Sequence, residues 1–444
     1  MATNDMRLLQ IAHFADMIKW SAQGSAFGNV KSKFPLVPLS VVLRRIKEPI
    51  TIEDGVLYKR ITIRNNGRGV VQRDELLGSE IGTKRQFVAH AGQFIISRID
   101  ARNGAFGIVP EELEGAVVTN DFWLFEVQNA LPEYLMLVLS SERFQQYWQT
   151  QSSGTTNRQR VSESDFLNSR ISLPTVEQQR AMLCRYNSCI TRSHKLKEAS
   201  EKIRDEACNW LLDRLSVKKR EIIKGTSSLI CLYKFSNLSR WDVWTKNLEY
   251  YSNVYNSVPF SCLTIGKPLY GANEKASKVK SDIRYIRITD INEDGSLGDD
   301  FVSAGNVDKR YLLHENDFLI ARSGNTVGKT FLYTHSMGKA IYAGYLVKYV
   351  LNTERILPLY LFYYTKSPVF KQWIEGNMRV VGQPNINGQE YLSAPIILPP
   401  LDVQHLIAKK MSNCGRKIKD LSSQAESILK CARKQFENTI FDEA

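Results

Sequence analysis

Two stretches of the chain, GQFIISRIDARNG at residues 92–104 and NDFLIARSGNTVG at residues 316–328, carry one pattern: Phe94, Arg98 and Gly104 each stand 224 positions before Phe318, Arg322 and Gly328. Working outward, FPLVPL at 34–39 answers VPFSCL at 258–263, Trp20 answers Trp244, and YKRIT at 58–62 answers YIRIT at 285–289. LPEYL at 131–135 answers LPLYL at 357–361, and ISLPTVEQQ at 171–179 answers IILPPLDVQ at 396–404. The offsets stay between 224 and 227, so the chain is a tandem duplication of a unit of about half its length.

Each copy closes on a Leu-Pro boundary followed by a long helical pattern. In the first, Met182, Tyr186, Cys189, Ser193, Leu196, Ser200, Ile203, Ala207 and Trp210 alternate in steps of four and three. In the second, Ile407, Met411, Cys414, Ile418, Leu421, Ala425, Ile428 and Ala432 keep that rhythm. A sustained seven-residue repeat marks a helix that supercoils against a partner, and at 1.5 Å per residue the first helix would reach about 58 Å. One such helix alone reads more commonly as an amphipathic helix packed on its own domain; two in one chain supply each other's partner, in an antiparallel pair. Ser193 and Ser200 suit close approach of the backbones.

Ahead of each helix lie short β-rich runs, FIISRI, GAVVTNDFWLFEV, DFLIAR and AIYAGYLVKYV, with helices at LPEYLMLVLSSERFQQYW and LPLYLFYYTKSPVFKQW. Strands and helices do not alternate regularly, which favours an α+β fold. The expected division is a first globule at 1–175, a helix at 176–220, a second globule at 221–400 and a helix at 401–444.

A length of 444 residues with 43% hydrophobic and 24% charged residues describes a globular protein of two or three domains. There is no uncharged apolar run of membrane-spanning length and no secretory signal pattern at the start, so a cytoplasmic location without a membrane role is expected. The seven cysteines include no C-x-x-C pair, and the reading is free, mostly buried thiols in a reducing compartment, with Cys184, Cys189, Cys208, Cys414 and Cys431 on helices. The six histidines add no metal signature. With 59 Lys plus Arg against 46 Asp plus Glu, the net charge of +13 favours a polyanionic partner.

ARSGNTVGKTFLY at 321–333 resembles a phosphate-binding loop, but three residues, Asn325, Thr326 and Val327, separate Gly324 from Gly328-Lys329-Thr330 where the P-loop needs four. The Thr- and aromatic-rich continuation reads as a strand, whereas a P-loop opens a helix. No Asp-x-Lys or Glu-x-Lys nuclease tripeptide, G-x-S-x-G, H-E-x-x-H or G-x-G-x-x-G occurs, and Pro399-Pro400 lacks the Asn or Asp of an amino-methyltransferase motif.

What recurs instead is basic and amide side chains on strand ends and loops. In the first copy these are Lys59, Arg60, Arg64, Arg68, Arg98, Arg102, Arg158 and Arg160, the last two within GTTNRQRV. In the second they are Arg287, Arg322, Asn325, Lys329, Arg379, Gln383, Asn385 and Asn387, the last three within GQPNING. Arg and Lys bind phosphate or guanine O6 and N7, and Asn and Gln grip adenine N6 and N7, so the set is a candidate DNA surface; any single Arg reads equally as a solvated charge.

Duplicated units that close in LP…EQQ and GQPNI…LPPLDVQ and run into heptad helices resemble the specificity subunits of type I restriction-modification enzymes over essentially the full chain. The Arg-Ser-Gly…Gly-Lys-Thr segment is similar to one common in their target recognition domains. In the first copy RIDARNGAFGIV replaces the Ser-Gly and GTTNRQRV replaces the Gly-Gln-Pro-Asn. The resemblance implies a non-catalytic chain in which each globule reads one half of a split double-stranded DNA target while the helix pair sets the gap. It implies two DNA methyltransferase subunits and restriction or motor subunits as partners. S-adenosylmethionine, ATP and magnesium would then belong to those partners. A type IIB-like specificity subunit, a DNA-binding coiled-coil scaffold, and a solitary nuclease or ATPase using the 324–330 loop remain the alternatives.

Overall fold

The computed structural model describes residues 32–65, 67–145, 162–219, 250–277, 281–378 and 383–441. Trp20, Trp244, Arg158, Arg160 and Arg379 lie outside these residues, as does the side chain of Arg102. The chain divides into two compact units: Met1–Lys195 with Gln424–Ala444, and Leu196–Ser423.

In the first unit the elements run β1 (Leu36–Pro38), β2 (Leu43–Ile46), β3 (Pro49–Thr51), β4 (Leu57–Ile63), β5 (Val70–Leu77), β6 (Arg85–Ala89), β7 (Phe94–Ser97), β8 (Phe106–Ile108), β9 (Ala116–Val118), β10 (Phe122–Val127), α1 (Pro132–Leu139), α2 (Glu163–Asn168) and β11 (Arg170–Ser172). The long helix α3 (Val176–Arg214) follows. The second unit continues with β12 (Val217–Lys219), β13 (Tyr250–Ser252), β14 (Ser257–Pro259), β15 (Thr264–Tyr270), β16 (Ala276–Ser277), β17 (Arg284–Ile286), β18 (Ser303–Ala304), β19 (Phe318–Ala321), β20 (Thr330–Leu332), β21 (Ala340–Tyr342) and β22 (Leu346–Leu351). After these come α4 (Pro358–Tyr364), α5 (Pro368–Asn377), α6 (Gly388–Tyr391), β23 (Pro395–Ile397) and the second long helix, α7 (Leu401–Ile440).

The duplication survives in the sheets. Each unit has a four-stranded antiparallel sheet, β2-β10-β7-β8 in one and β15-β22-β19-β20 in the other, and a closing pair, β1 with β11 or β14 with β23. A parallel contact is kept as well, β4 with β9 and β17 with β21. The strands β7 and β19 are buried at every position, as befits the apolar runs FIIS and FLIA in the middle of a covered sheet. Phe94, Phe125, Tyr134 and Phe166 fill the core of the first unit, and Phe260, Phe318, Tyr349 and Tyr360 that of the second. Full burial of such a side chain contributes roughly 1.5–3 kcal/mol.

The units differ around YKRIT and YIRIT. In the first, β4 is seven residues long and belongs to a five-stranded sheet, β3-β6-β9-β4-β5. In the second, β17 has three residues and pairs with β21 alone. Three expected continuous segments are each broken in two. GAVVTNDFWLFEV turns at Thr119, whose carbonyl accepts the Phe122 N–H at 3.1 Å, and becomes β9 and β10. AIYAGYLVKYV turns at Gly344, and LPLYLFYYTKSPVFKQW divides at Ser367, with Pro368 opening α5 because it needs no N–H partner there.

The heptad positions are buried or half-buried. In the first unit Met182 and Ala425 are buried, Tyr186 packs on Phe436 with centroids 6.2 Å apart, and Ser193 Oγ donates to the Ala425 carbonyl at 3.0 Å. In the second unit Ala207 and Ile407 are buried, the Ser200 and Ser422 hydroxyls lie 3.4 Å apart, and the Lys410 ammonium sits 6.0 Å from the Trp210 ring. Numbers rise along one helix as they fall along the other, so the pairing is antiparallel within each unit. Cys189, Leu196, Ile203, Met411, Cys414, Ile418, Leu421 and Ile428 are half-buried in the same stripe.

A buried glutamine fastens each helix start to its globule. Gln179, fully buried, accepts the Leu131 N–H at 2.8 Å and donates to the Pro174 carbonyl at 2.9 Å. Gln404, 225 positions later, accepts the Leu357 N–H at 2.7 Å and donates to the Pro399 and Arg355 carbonyls at 2.9 and 3.2 Å. The expectation of mostly buried cysteines is corrected: Cys184, Cys262 and Cys431 are exposed, and Cys189, Cys208 and Cys414 half-buried. A two-helix seam leaves one side of even its contact residues in water, so thiols on the helices are only partly covered, and Cys262 lies outside the long helices just before β15.

Candidate nucleic-acid interface

In the second unit, β19 ends at Ala321 and the chain turns through Ser323, Gly324 and Gly328 into β20. Gly324 and Gly328 adopt φ of 75° and 83°, the left-handed region open to glycine. This turn is laced to the GQPNING segment. The Gly324 N–H donates to the Pro384 carbonyl at 2.9 Å, the Ile386 N–H to the Arg322 carbonyl at 3.0 Å, and Ser323 forms a bridge with Asn385. Two segments some 60 residues apart in sequence therefore bring Arg322, Asn325, Gln383 and Asn385 into one loop cluster, with Asn325 and Gln383 exposed. Asn385 Oδ1 is buried and has no protein partner.

The loop does not cradle a phosphate. The Val327, Gly328 and Lys329 amides donate to the Gly324, Ala321 and Thr326 carbonyls at 3.1, 3.0 and 3.0 Å, and Gly328 also to the Tyr391 hydroxyl at 3.0 Å. Lys329 Nζ reaches the Ile291 carbonyl at 3.0 Å and Glu293 at 3.1 Å, and the Thr330 hydroxyl is buried against that of Thr365 at 2.9 Å. A P-loop leaves these groups free for the nucleotide.

Arg322 is held over an aromatic ring. Its guanidinium lies 5.0 Å from the Tyr270 ring centroid, its Nε donates to the Gly344 carbonyl at 3.2 Å, and its backbone N–H donates to the Tyr345 carbonyl at 3.0 Å. Arg98, its counterpart in the first unit, lies 5.4 Å from the Trp123 ring, and its backbone N–H donates to the Asp121 carbonyl at 2.8 Å. Arg98 Nε is buried without a protein partner. Stacking on an aromatic face fixes a guanidinium and leaves its edge for a planar acceptor.

The first unit assembles its own cluster. Arg64 and Arg68 are exposed on the turn between β4 and β5, and the Gly67 N–H within that turn donates to the Gly104 carbonyl at 2.9 Å. That contact sets the turn beside the 98–104 loop, which carries Arg98 and Arg102. Arg45 of β2 adds to the positive ground: it lies 5.3 Å from the Phe125 ring and 3.4 Å from Glu163. Burial pulls its pKa below the ordinary arginine value, and the positive charge of Arg98 pulls in the same direction against Glu163.

Other candidates are engaged within the fold. Arg60 forms a two-pronged pair with Asp74, both contacts at 2.7 Å, and Arg287 one with Asp290 at 3.0 and 2.6 Å. The Asp74 hydrogen bond raises the Arg60 pKa and lowers that of Asp74, and the Asp290 hydrogen bond raises that of Arg287. Lys59 Nζ donates to the Glu112 carbonyl at 3.1 Å, and Asn387 caps α6, its Oδ1 accepting from Gln389 and Glu390 at 2.9 Å. Arg45, Trp123 and Tyr270 were missing from the sequence-derived set. Their signal was register: they stand on β2, β10 and β15, whose order in the sheets the sequence alone did not disclose. Among the described residues no cluster of metal-ligating side chains occurs, and no helix is long and apolar enough to cross a membrane.

Known proteins match along both copies. The type I restriction modification DNA specificity domain matches residues 41–198 and again residues 267–428. The type I restriction enzyme MjaVIII specificity subunit of Methanocaldococcus jannaschii is 29% identical over 153 residues, 34% of this chain and 34% of that protein. The EcoBI specificity subunit of Escherichia coli is 26% identical over 170 residues, 37% of this chain and 34% of that protein. The aligned parts thus span about a third of each relative's length. A solved chain described under the structural basis of complex assembly and conformational transition of the type I R-M system shares the fold with a TM-score of 0.52 at 14% identity, over 92% of this chain and 98% of that one. Since the matched regions take in one stretch of each copy and together more than half of the sequence, the chain belongs to the type I restriction modification DNA specificity domain family.

Proposed function

We propose that this protein is the sequence-reading subunit of a type I restriction-modification complex, non-catalytic in itself. Each globule, 1–175 and 221–400, reads one half of a bipartite duplex target, and the helices at 176–220 and 401–444 set the gap between the halves. The observation that carries this reading is the repeated arrangement at Arg98 and Arg322. At equivalent places in the duplication an arginine at the end of a covered strand lies over an aromatic ring, Trp123 of β10 in one unit and Tyr270 of β15 in the other, beside a loop bearing further arginines or amides. Arg64, Arg68, Arg98 and Arg102 in the first unit, and Arg322, Asn325, Gln383 and Asn385 in the second, are the residues offered to base edges and phosphates. Lys59, Arg60, Arg287, Lys329 and Asn387 act on them indirectly, by holding the loops. Arg158, Arg160 and Arg379, outside the described residues, are proposed to bind DNA on sequence alone.

The net charge of +13 supports a polyanionic partner, with binding that weakens steeply as salt rises. Two methyltransferase subunits and restriction or motor subunits would complete the complex in the cytoplasm, bringing S-adenosylmethionine, ATP and magnesium with them. The test is an exchange of residues 15–175 for those of another specificity subunit, followed by mapping of methylated sites in cells carrying the complex. One half of the target changes and the other stays; a change in both halves, or in neither, contradicts the proposal.

A further inference from the structure

The tyrosines of the second unit divide into two kinds. Tyr342, Tyr349, Tyr360, Tyr364 and Tyr391 are buried, and their hydroxyls donate to the carbonyls of Leu269, Gly388, Ile397, Pro395 and Ala321 at 3.3, 2.9, 2.5, 3.0 and 2.9 Å. Tyr345 is the opposite case: its side chain is 54% exposed while its backbone is fixed. The Tyr345 carbonyl accepts the Arg322 N–H at 3.0 Å, the preceding Gly344 carbonyl accepts Arg322 Nε at 3.2 Å, and Gly344 itself donates to the Ala272 carbonyl at 2.8 Å. A bulky ring thus stands in water on a pinned turn, beside an arginine that is itself stacked on the 43% exposed Tyr270. One exposed ring is ordinary on a protein surface; what sets Tyr345 apart is that its turn holds both the backbone and the Nε of Arg322, so the ring is carried beside that guanidinium. The duplication adds a second fact. The residue whose carbonyl takes the Arg98 N–H at the same place in the first unit is Asp121, so the pinned turn is kept in both units while its side chain differs.

We infer that Tyr345 is a base-contacting, specificity-determining residue of the second unit, its ring lying against the bases next to the one or the phosphate held by Arg322. This rests on the DNA-reading function proposed above. In the groove of a duplex, where base faces are covered by stacking, the apolar partner such a ring can reach is a thymine methyl.

The experiment selects bound sequences from a pool of randomised duplexes, using the full chain assembled with its methylation subunit, for wild type, Tyr345→Ala, Tyr345→Ser and Tyr345→Phe. Wild type yields two preferred blocks of bases. In the Ala and Ser variants one block relaxes at one or two positions, affinity for the wild-type duplex falls about tenfold, and thermal stability is unchanged; Phe keeps the wild-type selection. Ala and Ser variants that recover the same blocks with affinity within twofold overturn the inference and leave the function standing. Equal loss in both blocks also overturns it. A wild-type complex that selects no sequence overturns the function itself.

Discussion

Replacing Gln404 by leucine removes three hydrogen bonds from a side chain 1% exposed, at the point where α7 meets the globule. Leucine is of similar size, so the loss is polar. The Leu357 N–H and the Pro399 carbonyl are left without the groups that satisfied them, and each unsatisfied buried group costs about 1–3 kcal/mol. An open cleft of about 350 Å³, lined by Arg355, Leu398, Pro399, Pro400, Leu401 and Gln404, lets water reach the Pro399 carbonyl and recover part of that cost. The net destabilisation of Gln404→Leu is therefore about 2 kcal/mol. Gln179, fully buried at the equivalent place in the first unit, makes two side-chain hydrogen bonds, and Gln179→Leu costs about 2–3 kcal/mol by the same reasoning. For units of this size these losses lower the melting temperature by roughly 4–12 °C. Calorimetry gives the magnitude, and amide hydrogen exchange assigns the loss to the unit that carries the substitution. A change of less than about 0.5 kcal/mol in both variants would refute the argument from orphaned backbone groups.

Three further outcomes follow from particular contacts. His90 lies 2.6 Å from Glu114 and 2.9 Å from Glu48, whose hydrogen bonds raise its pKa above the usual 6.5. Its contribution to stability is then full below pH 6.5 and fades as the pH rises through the higher folded value, so unfolding of the first unit followed at pH 6 and pH 8 differs less in His90→Gln than in wild type. Ser193→Leu forces a large side chain onto the Ala425 carbonyl at the helix seam and destabilises the first unit by about 1–3 kcal/mol in denaturant titration, whereas a free surface there would tolerate it. Arg322→Lys keeps the charge but loses the planar guanidinium over Tyr270; affinity for a selected duplex falls about tenfold while the salt dependence of binding hardly moves, and an unchanged affinity would show that Arg322 acts only as a charge.

Much of this architecture is visible in the sequence because duplication and periodicity are properties of the chain itself. The heptad positions from Met182 to Ala207 and from Ile407 to Ile428 are the residues that the paired helices cover or half-cover. The Gly324 and Gly328 turn is legible too, since only a few backbone conformations require glycine. Sheet order was hidden, because strands of three to eight residues carry no signal of which partner they choose. For that reason the five-stranded sheet of the first unit, the breaks at Thr119, Gly344 and Ser367, and the aromatic platforms of Trp123 and Tyr270 emerge only from the fold. Nor could sequence separate arginines held by carboxylates, such as Arg60 and Arg287, from those stacked at loop ends, because the deciding partner is a carboxylate on a neighbouring strand or turn.

The central claim is that two unlike globules read two separate stretches of one duplex. Its most direct measurement is the sequence logo of duplexes retained by the full chain with its methylation subunit. The account predicts two short, dissimilar blocks of preferred bases separated by a constant unspecified gap. A single unbroken block, two identical blocks, or a gap that varies freely from one retained duplex to the next would contradict it.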